Sequence, residues 1–215
     1  FSVLALLIFG MVGGASAELG FTDGFEDGDY TSDPEWKIDN AGTSISASTT
    51  TAINGSYSLE IQDNYEIYHD RGTQADVRDG HEYQSWIQFS DKTQQVRYAL
   101  MVDGTGIGSG SYYGEQHQVL VRCNYPTDGR CEVRTFDSSG SYINSYEFTY
   151  DISNYEWVKL RFEFDVTNSE LEAGLYDSSG NLEDSTTISY SGRDKYRYVG
   201  IDTYSGYFYF DEVSY

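Results

Sequence analysis

An all-β fold, an antiparallel two-sheet β-sandwich, is predicted by three features of the sequence. From residue 20 onward the apolar residues recur with a period of two and not 3.6. Gly, Asn, Asp and Ser interrupt that pattern at intervals of roughly 8 to 15 residues, the rhythm of short strands joined by tight turns. No segment carries the apolar stripe of an amphipathic helix. The 215 residues suffice for one domain with a sizeable core and are too few for two ordinary domains and a linker.

Composition narrows the class of partner. Thirty-five Asp and Glu against 13 Lys and Arg give a formal charge of −22, and this argues against nucleic acid or an anionic membrane, whose phosphates require a basic stripe. Aromatic residues form 16% of the chain, too many for a disordered segment. Two Pro and 22 Gly among many Ser, Thr and Tyr argue against a coiled coil, a helix bundle or a collagen-like rod. Lysines are scarce (Lys37, Lys92, Lys159 and Lys195), so the acid excess has a halophilic-like character: at high salt, screening removes the self-repulsion. Most carboxylates then serve solvation and form no site.

The first element is a leader. Residues 1–17, FSVLALLIFGMVGGASA, are the only long apolar run and end in Ala15-Ser16-Ala17 before Glu18, the pattern of a secretory signal peptide and its cleavage site. Neither Met nor a basic residue precedes Phe1, so the leader is expected to be truncated at its front, with one domain following over residues 18–215. A membrane anchor is the alternative, but the run is short of the roughly 20 residues of a span. Gly10, Gly13 and Gly14 weaken that reading and a pilin-type N-terminal helix alike. The prediction is a protein that is secreted or held at the extracellular surface, with no membrane insertion once the signal is removed.

The strands follow. Tyr83, Ser85, Ile87 and Phe89 share one face of a predicted strand, and Glu82, Gln84, Trp86 and Gln88 share the other. Val96, Tyr98, Leu100 and Val102 form the next, then Val119 and Val121, with a return through Val133. Cys123 and Cys131 bracket the loop of that return, where a disulfide would staple a hairpin and contribute roughly 2 to 3 kcal/mol. A metal or redox pair is the rival, and no other thiol or imidazole clusters nearby. The clearest strand places Val158, Leu160, Phe162, Phe164 and Val166 inward and Trp157, Lys159, Arg161, Glu163 and Asp165 outward. Leu171, Ala173 and Leu175 continue after a turn at Thr167-Asn168-Ser169. Asp-Ser-Ser-Gly occurs at 137–140 and again at 177–180, each time as a predicted hairpin tip with Gly in the left-handed region. In the last strand Tyr207 and Tyr209 alternate with Phe208 and Phe210, so one pair is expected in the core.

The opening FTDGFEDGDYTSDPEWKI, the phrase Asn54-Gly55-Ser56-Tyr57-Ser58-Leu59, the strand Glu156-Trp157-Val158-Lys159-Leu160 and the closing FYFDEVSY together resemble the jelly-roll sandwiches of the concanavalin-A-like, laminin-G-like and carbohydrate-binding-module groups. The likeness runs in order through most of residues 18–215. It is specific for fold and poorly specific for ligand, since these groups include lectins, enzyme-appended modules, adhesins and some lyases. First and last strands of a jelly roll lie side by side, so Glu26 and Asp29 are expected to meet Asp211, with carbonyls from the Gly55 region completing an oxygen shell that suits Ca²⁺. The resemblance implies the same structural calcium. The spacing is not that of an EF-hand, and a solvated acidic turn is the alternative. Asn54-Gly55-Ser56 is also a glycosylation sequon.

Sugar binding rests on outward-facing rings, because pyranose C–H faces stack on aromatics while their hydroxyls need amide, carboxylate or guanidinium partners. Trp86 with Gln84 and Gln88 offers that mixture on one strand, and Arg97, Gln116, Gln118 and Arg122 are expected on the same sheet if the strands pair in order. Most of the aromatic residues must nonetheless pack inside.

Three constellations bear on catalysis. Glu163-Phe164-Asp165-Val166-Thr167 approaches the E-x-D-x-E phrase of laminarinase-like glucanases, but Thr167 stands where the acid is needed, so Glu163 and Asp165 read as a solvated row paired with Arg161. Residues 170–176, ELEAGLY, resemble the Y-x-K-A-G-x-Y strand of alginate-lyase-like jelly rolls, with Glu170 and Glu172 replacing Tyr and Lys. On that reading Arg78, His117 and Tyr176 are a β-elimination set, weakened because His117 and Gln116 point to opposite sides of a strand. No G-x-S-x-G elbow occurs, and His69 and His81 lie in polar, turn-rich stretches. The sequence thus predicts a secreted, non-catalytic, lectin-like module whose partner is a polysaccharide or glycan, neutral more readily than acidic. A lyase or glycosidase relative is one alternative, and an adhesion or structural protein that binds cell-surface proteins is another.

Overall fold

The computed structural model describes residues 22–32, 34–38, 44–62, 65–101, 117–124, 128–192, 195–203 and 206–215. The predicted leader, Gln116 and the tip of the cysteine loop lie outside them. Along the described residues run β1 (Thr22–Asp23), β2 (Trp36–Ile38), β3 (Ile45–Ser48), β4 (Ser58–Gln62), β5 (Tyr65–Asp76), β6 (Glu82–Phe89), β7 (Val96–Met101), β8 (His117–Cys123), β9 (Cys131–Phe136), β10 (Tyr142–Glu147), β11 (Trp157–Asp165), β12 (Glu170–Tyr176), β13 (Leu182–Ser189), β14 (Lys195–Thr203) and β15 (Tyr207–Ser214), with no helix among them.

These strands form two sheets. One has the order β13-β12-β11-β6-β15-β4-β3, with β1 joined to β15 as an eighth strand; the other runs β10-β9-β8-β7-β14-β5-β2. Neighbours in both are antiparallel, as the pairs β11–β12, β11–β6, β14–β7 and β8–β9 illustrate. Consecutive strands β6 and β7 belong to different sheets, and the last two strands, β14 and β15, occupy interior positions, one in each sheet.

The period-two pattern decides which residues the sheets enclose. Val158, Leu160, Phe162 and Phe164 of β11 are buried while Lys159, Arg161, Glu163 and Asp165 stay half-exposed. On β15, Phe208 and Phe210 are the core pair, packed beside Leu59 and Ile61 of β4. Each such ring contributes roughly 1.5 to 3 kcal/mol by leaving water. Val166 departs from the expected inward row: β11 ends at Asp165, and the side chain is 36% exposed at the turn. Tyr83 centres an aromatic cluster between the sheets, stacked on Tyr215 at 5.4 Å and edge-on to Tyr196 and Phe164.

Turn chemistry follows the sequence. At both Asp-Ser-Ser-Gly tips the Gly has φ near +80°, and the Asp carboxylate accepts the amide of the residue two positions on. Cys123 and Cys131 are directly opposed on β8 and β9 and joined by a disulfide.

Candidate functional site

The outer face of the eight-stranded sheet carries a row built by register. Trp86 on β6 pairs with Lys159 on β11, and Lys159 with Tyr176 on β12, so three outward side chains stand abreast. The Lys159 ammonium lies 4.7 Å from the centre of the Tyr176 ring and 5.6 Å from that of Trp86. Such cation–π contacts are worth about 0.5 to 1 kcal/mol each when exposed.

The next row is Gln84, Arg161, Gly174 and Ser185. Arg161 donates to Glu82 at 2.7 Å and to Glu163 at 2.6 Å, which keeps the guanidinium charged and aimed along the sheet. This confirms the expected Arg161–Glu163 pairing. Gly174 lets the Tyr176 ring and Leu182 lie close over β12, because a Cβ there would stand 3.0 Å from the Tyr176 ring and 3.3 Å from Leu182. The result is a polar depression of about 420 Å³ walled by Arg161, Glu172, Tyr176, Leu182, Ser185 and Thr187.

Toward the turn after β11 the same face becomes acidic. Asp79, Glu163, Asp165, Thr167 and Glu172 line a second depression of about 370 Å³. Asp79 accepts the hydroxyl and amide of Thr167, which lower its pKa, and Asp165 accepts the amide and carboxamide of Asn168. These carboxylates cap a turn, and Asp79 is held ionised.

Gln88 departs from the surface expected of it. It is 4% exposed, and its Nε2 donates to the Tyr155 carbonyl in the turn that crosses the sheet before β11. Trp157, beside it, is likewise covered and donates to Thr51 Oγ1. Arg97 and Arg122 also fall outside the expected surface, because β7 and β8 belong to the seven-stranded sheet and their outer face points away from Trp86. Arg97 and Arg122 are 6% and 5% exposed. Arg122 lies 2.9 Å from Glu132, as does Arg134; burial pushes that carboxyl up, and the two guanidinium bonds outweigh it and hold the pKa low. Gln118 lies on β8 in that same sheet, and Gln116 is outside the described residues.

The three β-elimination candidates are not gathered. Tyr176 ends β12, Arg78 lies in the turn before β6, and His117 begins β8 in the opposite sheet.

The two chain ends do meet. β1 pairs with β15, and five successive backbone amides of the loop Ile53–Tyr57 all donate to side-chain oxygens. Those of Ile53 and Asn54 go to Asp211, that of Gly55 to Asn54 Oδ1, and those of Ser56 and Tyr57 to Glu26. Asp211 also receives the amide of Glu212. The expected oxygen shell is therefore replaced by amide hydrogens on the carboxylate lone pairs that an ion would need. Asp29 is turned aside, accepting Thr31 and Ser32, whose bonds lower its pKa to about 2. Among the described residues no group of three or more His, Cys, Asp and Glu gathers to hold a metal. Glu26, Asp29 and Asp211 as arranged do not fit calcium.

Asp23 was not singled out by the sequence. Its carboxylate accepts the Phe25 amide and the Trp36 indole N–H, both at 2.7 Å, and burial raises its pKa to about 6. Burial likewise raises Asp211 to about 6.

Neither a family model nor a curated protein matches the chain in sequence. Solved structures do match in fold. The legume lectin-like domain from Entamoeba histolytica is 13% identical with a TM-score of 0.55, over 84% of this chain and 88% of that one. Arcelin-5, a lectin-like defence protein from Phaseolus vulgaris, is 9% identical with a TM-score of 0.57, over 91% and 96%. The lectin UEA-II, solved with galactose, is 11% identical with a TM-score of 0.54, over 91% and 98%. The expected concanavalin-A-like jelly roll is thus the fold of this chain.

Proposed function

We propose that this protein is a carbohydrate-binding, lectin-like domain that takes its ligand on the outer face of the eight-stranded sheet. The observation that carries the reading is the adjacency of the Trp86–Lys159–Tyr176 row to the polar depression beside Gly174, where rings, hydroxyls and charged donors converge on one surface. The lectin fold of the neighbours supports it, one of them having been solved with galactose. A fold alone does not fix a ligand, so the weight rests on the site.

Binding here needs no chemistry beyond stacking and hydrogen bonding. Tyr176 and Trp86 supply apolar ring area, and Ser185, Thr187, Gln84 and Glu172 supply partners for hydroxyls. Calcium is left out of the proposal because the carboxylates expected to hold it are occupied by amides. The proposal places the domain outside the cell, which the Cys123–Cys131 disulfide supports, since such bonds persist in oxidising compartments.

The test is a glycan array followed by titration of the best ligand. Tyr176→Ala and Trp86→Ala are expected to weaken binding about tenfold or more while the variants keep their sheet structure by circular dichroism. Retention of no glycan by the unmodified protein would overturn the reading, as would binding indifferent to both substitutions.

A further inference from the structure

Lys159 stands apart from the cations around it. On a chain of 35 acidic residues a surface cation ordinarily finds a carboxylate, as Lys37 does with Asp70, Lys92 with Asp151, Arg130 with Glu147 and Arg161 with Glu82. Lys159 makes no ion pair and no hydrogen bond with any of the described residues; its ammonium is held by the two rings alone. Rings fix the position of a cation without supplying an anion, so its three N–H donors are positioned and unspent.

The neighbouring charges leave room for an anion there. The carboxylates of Glu82 and Glu163, two rows away, are drawn toward Arg161, at 2.7 and 2.6 Å. Asp211, which pairs in register with Trp86, is buried beneath the loop whose Ile53 and Asn54 amides it accepts. At roughly 1 M salt the Debye length is about 3 Å, so the chain's net charge is screened while a direct contact at Lys159 persists.

Resting on the glycan-binding reading above, we propose that Lys159, set between Trp86 and Tyr176, recognises an anionic group on the ligand, so that the preferred glycan carries carboxylate or sulfate groups beside the sugar faces that the rings accept. This reverses the sequence's expectation of a neutral ligand. The composition speaks for the whole surface, whereas the register places one unspent cation at the point where the rings stand.

The experiment is affinity electrophoresis or calorimetry of the whole domain at high salt against three probes: a hexuronate polymer, a sulfated galactan and the matching neutral galactan. An acidic probe is expected to bind about tenfold more tightly than the neutral one, with the preference lost in Lys159→Gln and kept in Lys159→Arg, both variants keeping their sheet structure by circular dichroism. Which acidic probe binds identifies the anion as carboxylate or sulfate. Equal binding of all three, or a preference that survives Lys159→Gln, overturns the inference and leaves the glycan reading standing. Binding of none of these probes, together with an empty glycan array, removes both.

Discussion

Glu26 and Asp211 accept hydrogen bonds from opposite ends of one loop, Glu26 from the amides of Ser56 and Tyr57 and Asp211 from those of Ile53 and Asn54. Charge-assisted bonds of this kind are worth more than neutral ones, and here they tie the turn after β1 and the strand β15 to the same stretch of chain. Gly55 makes the arrangement possible: its φ is +68°, and a Cβ would lie 2.3 Å from the Glu26 carboxyl.

Gly55→Ala is therefore expected to destabilise by more than the roughly 1 to 2 kcal/mol of left-handed backbone strain alone. Gly80→Ala is the matched control, with φ +76° and open space where its Cβ would go. Thermal melts are expected to show the Gly55 variant falling at least twice as far as the Gly80 variant. Equal losses would mean that the Glu26 carboxylate gives way freely.

Chelation is expected to leave the melting temperature unchanged within about one degree, because amide hydrogens already satisfy Glu26 and Asp211. Dialysis against a chelator, then scanning calorimetry with and without added Ca²⁺, checks this. A drop of several degrees on chelation, restored by Ca²⁺, would reinstate the ion.

Stability is expected to increase on mild acidification. Burial raises both Asp23 and Asp211 from 3.8 to about 6, so the folded chain binds these protons more tightly than the unfolded one. Their contribution is fully present below the unfolded value and is lost as pH rises through about 6. Asp29, Asp137 and Asp177 are shifted the other way by local hydrogen bonds, so their stabilisation disappears at still lower pH. Melting temperatures measured across this range are expected to peak between the two sets, and Asp23→Asn to flatten the rise between neutral pH and about 5. A wild-type melting temperature that falls steadily from neutral pH would contradict this.

Replacing Cys123 and Cys131 together by Ala is expected to cost roughly 2 to 3 kcal/mol, or about 5 to 10 °C in a domain of this size. Both sulfurs sit in the core, so the variant is expected to keep its sheet structure by circular dichroism while melting earlier. An unchanged melting temperature would show that the β8–β9 hairpin is held without them.

Alternation was legible wherever a strand buries one face only. Phe162, Phe164, Phe208 and Phe210 lie inside as their spacing requires, and the two Asp-Ser-Ser-Gly turns close hairpins. The adjacency of first and last strands followed from the likeness in the opening and closing phrases. Spacing within a strand says nothing about which sheet the next strand joins, so Trp86 and Arg97 were read as sharing a surface although β6 and β7 part company. Gln88 alternates correctly and is still covered, because the cover comes from the turn at Tyr155, remote in sequence. Lys159 was read as one member of an outward row; only the register of three strands places it between two rings.

The interior positions of β14 and β15 bear on how the domain is made. Until residues 195–214 leave the ribosome, β7 has no partner toward β5, and β6 has none toward β4. Each sheet exists until then as two half-sheets with open edges, the surfaces most prone to mispairing. Vectorial synthesis thus cannot complete either layer before residues 195–214 emerge, because the strands that bridge the halves of both sheets are made after all the others described.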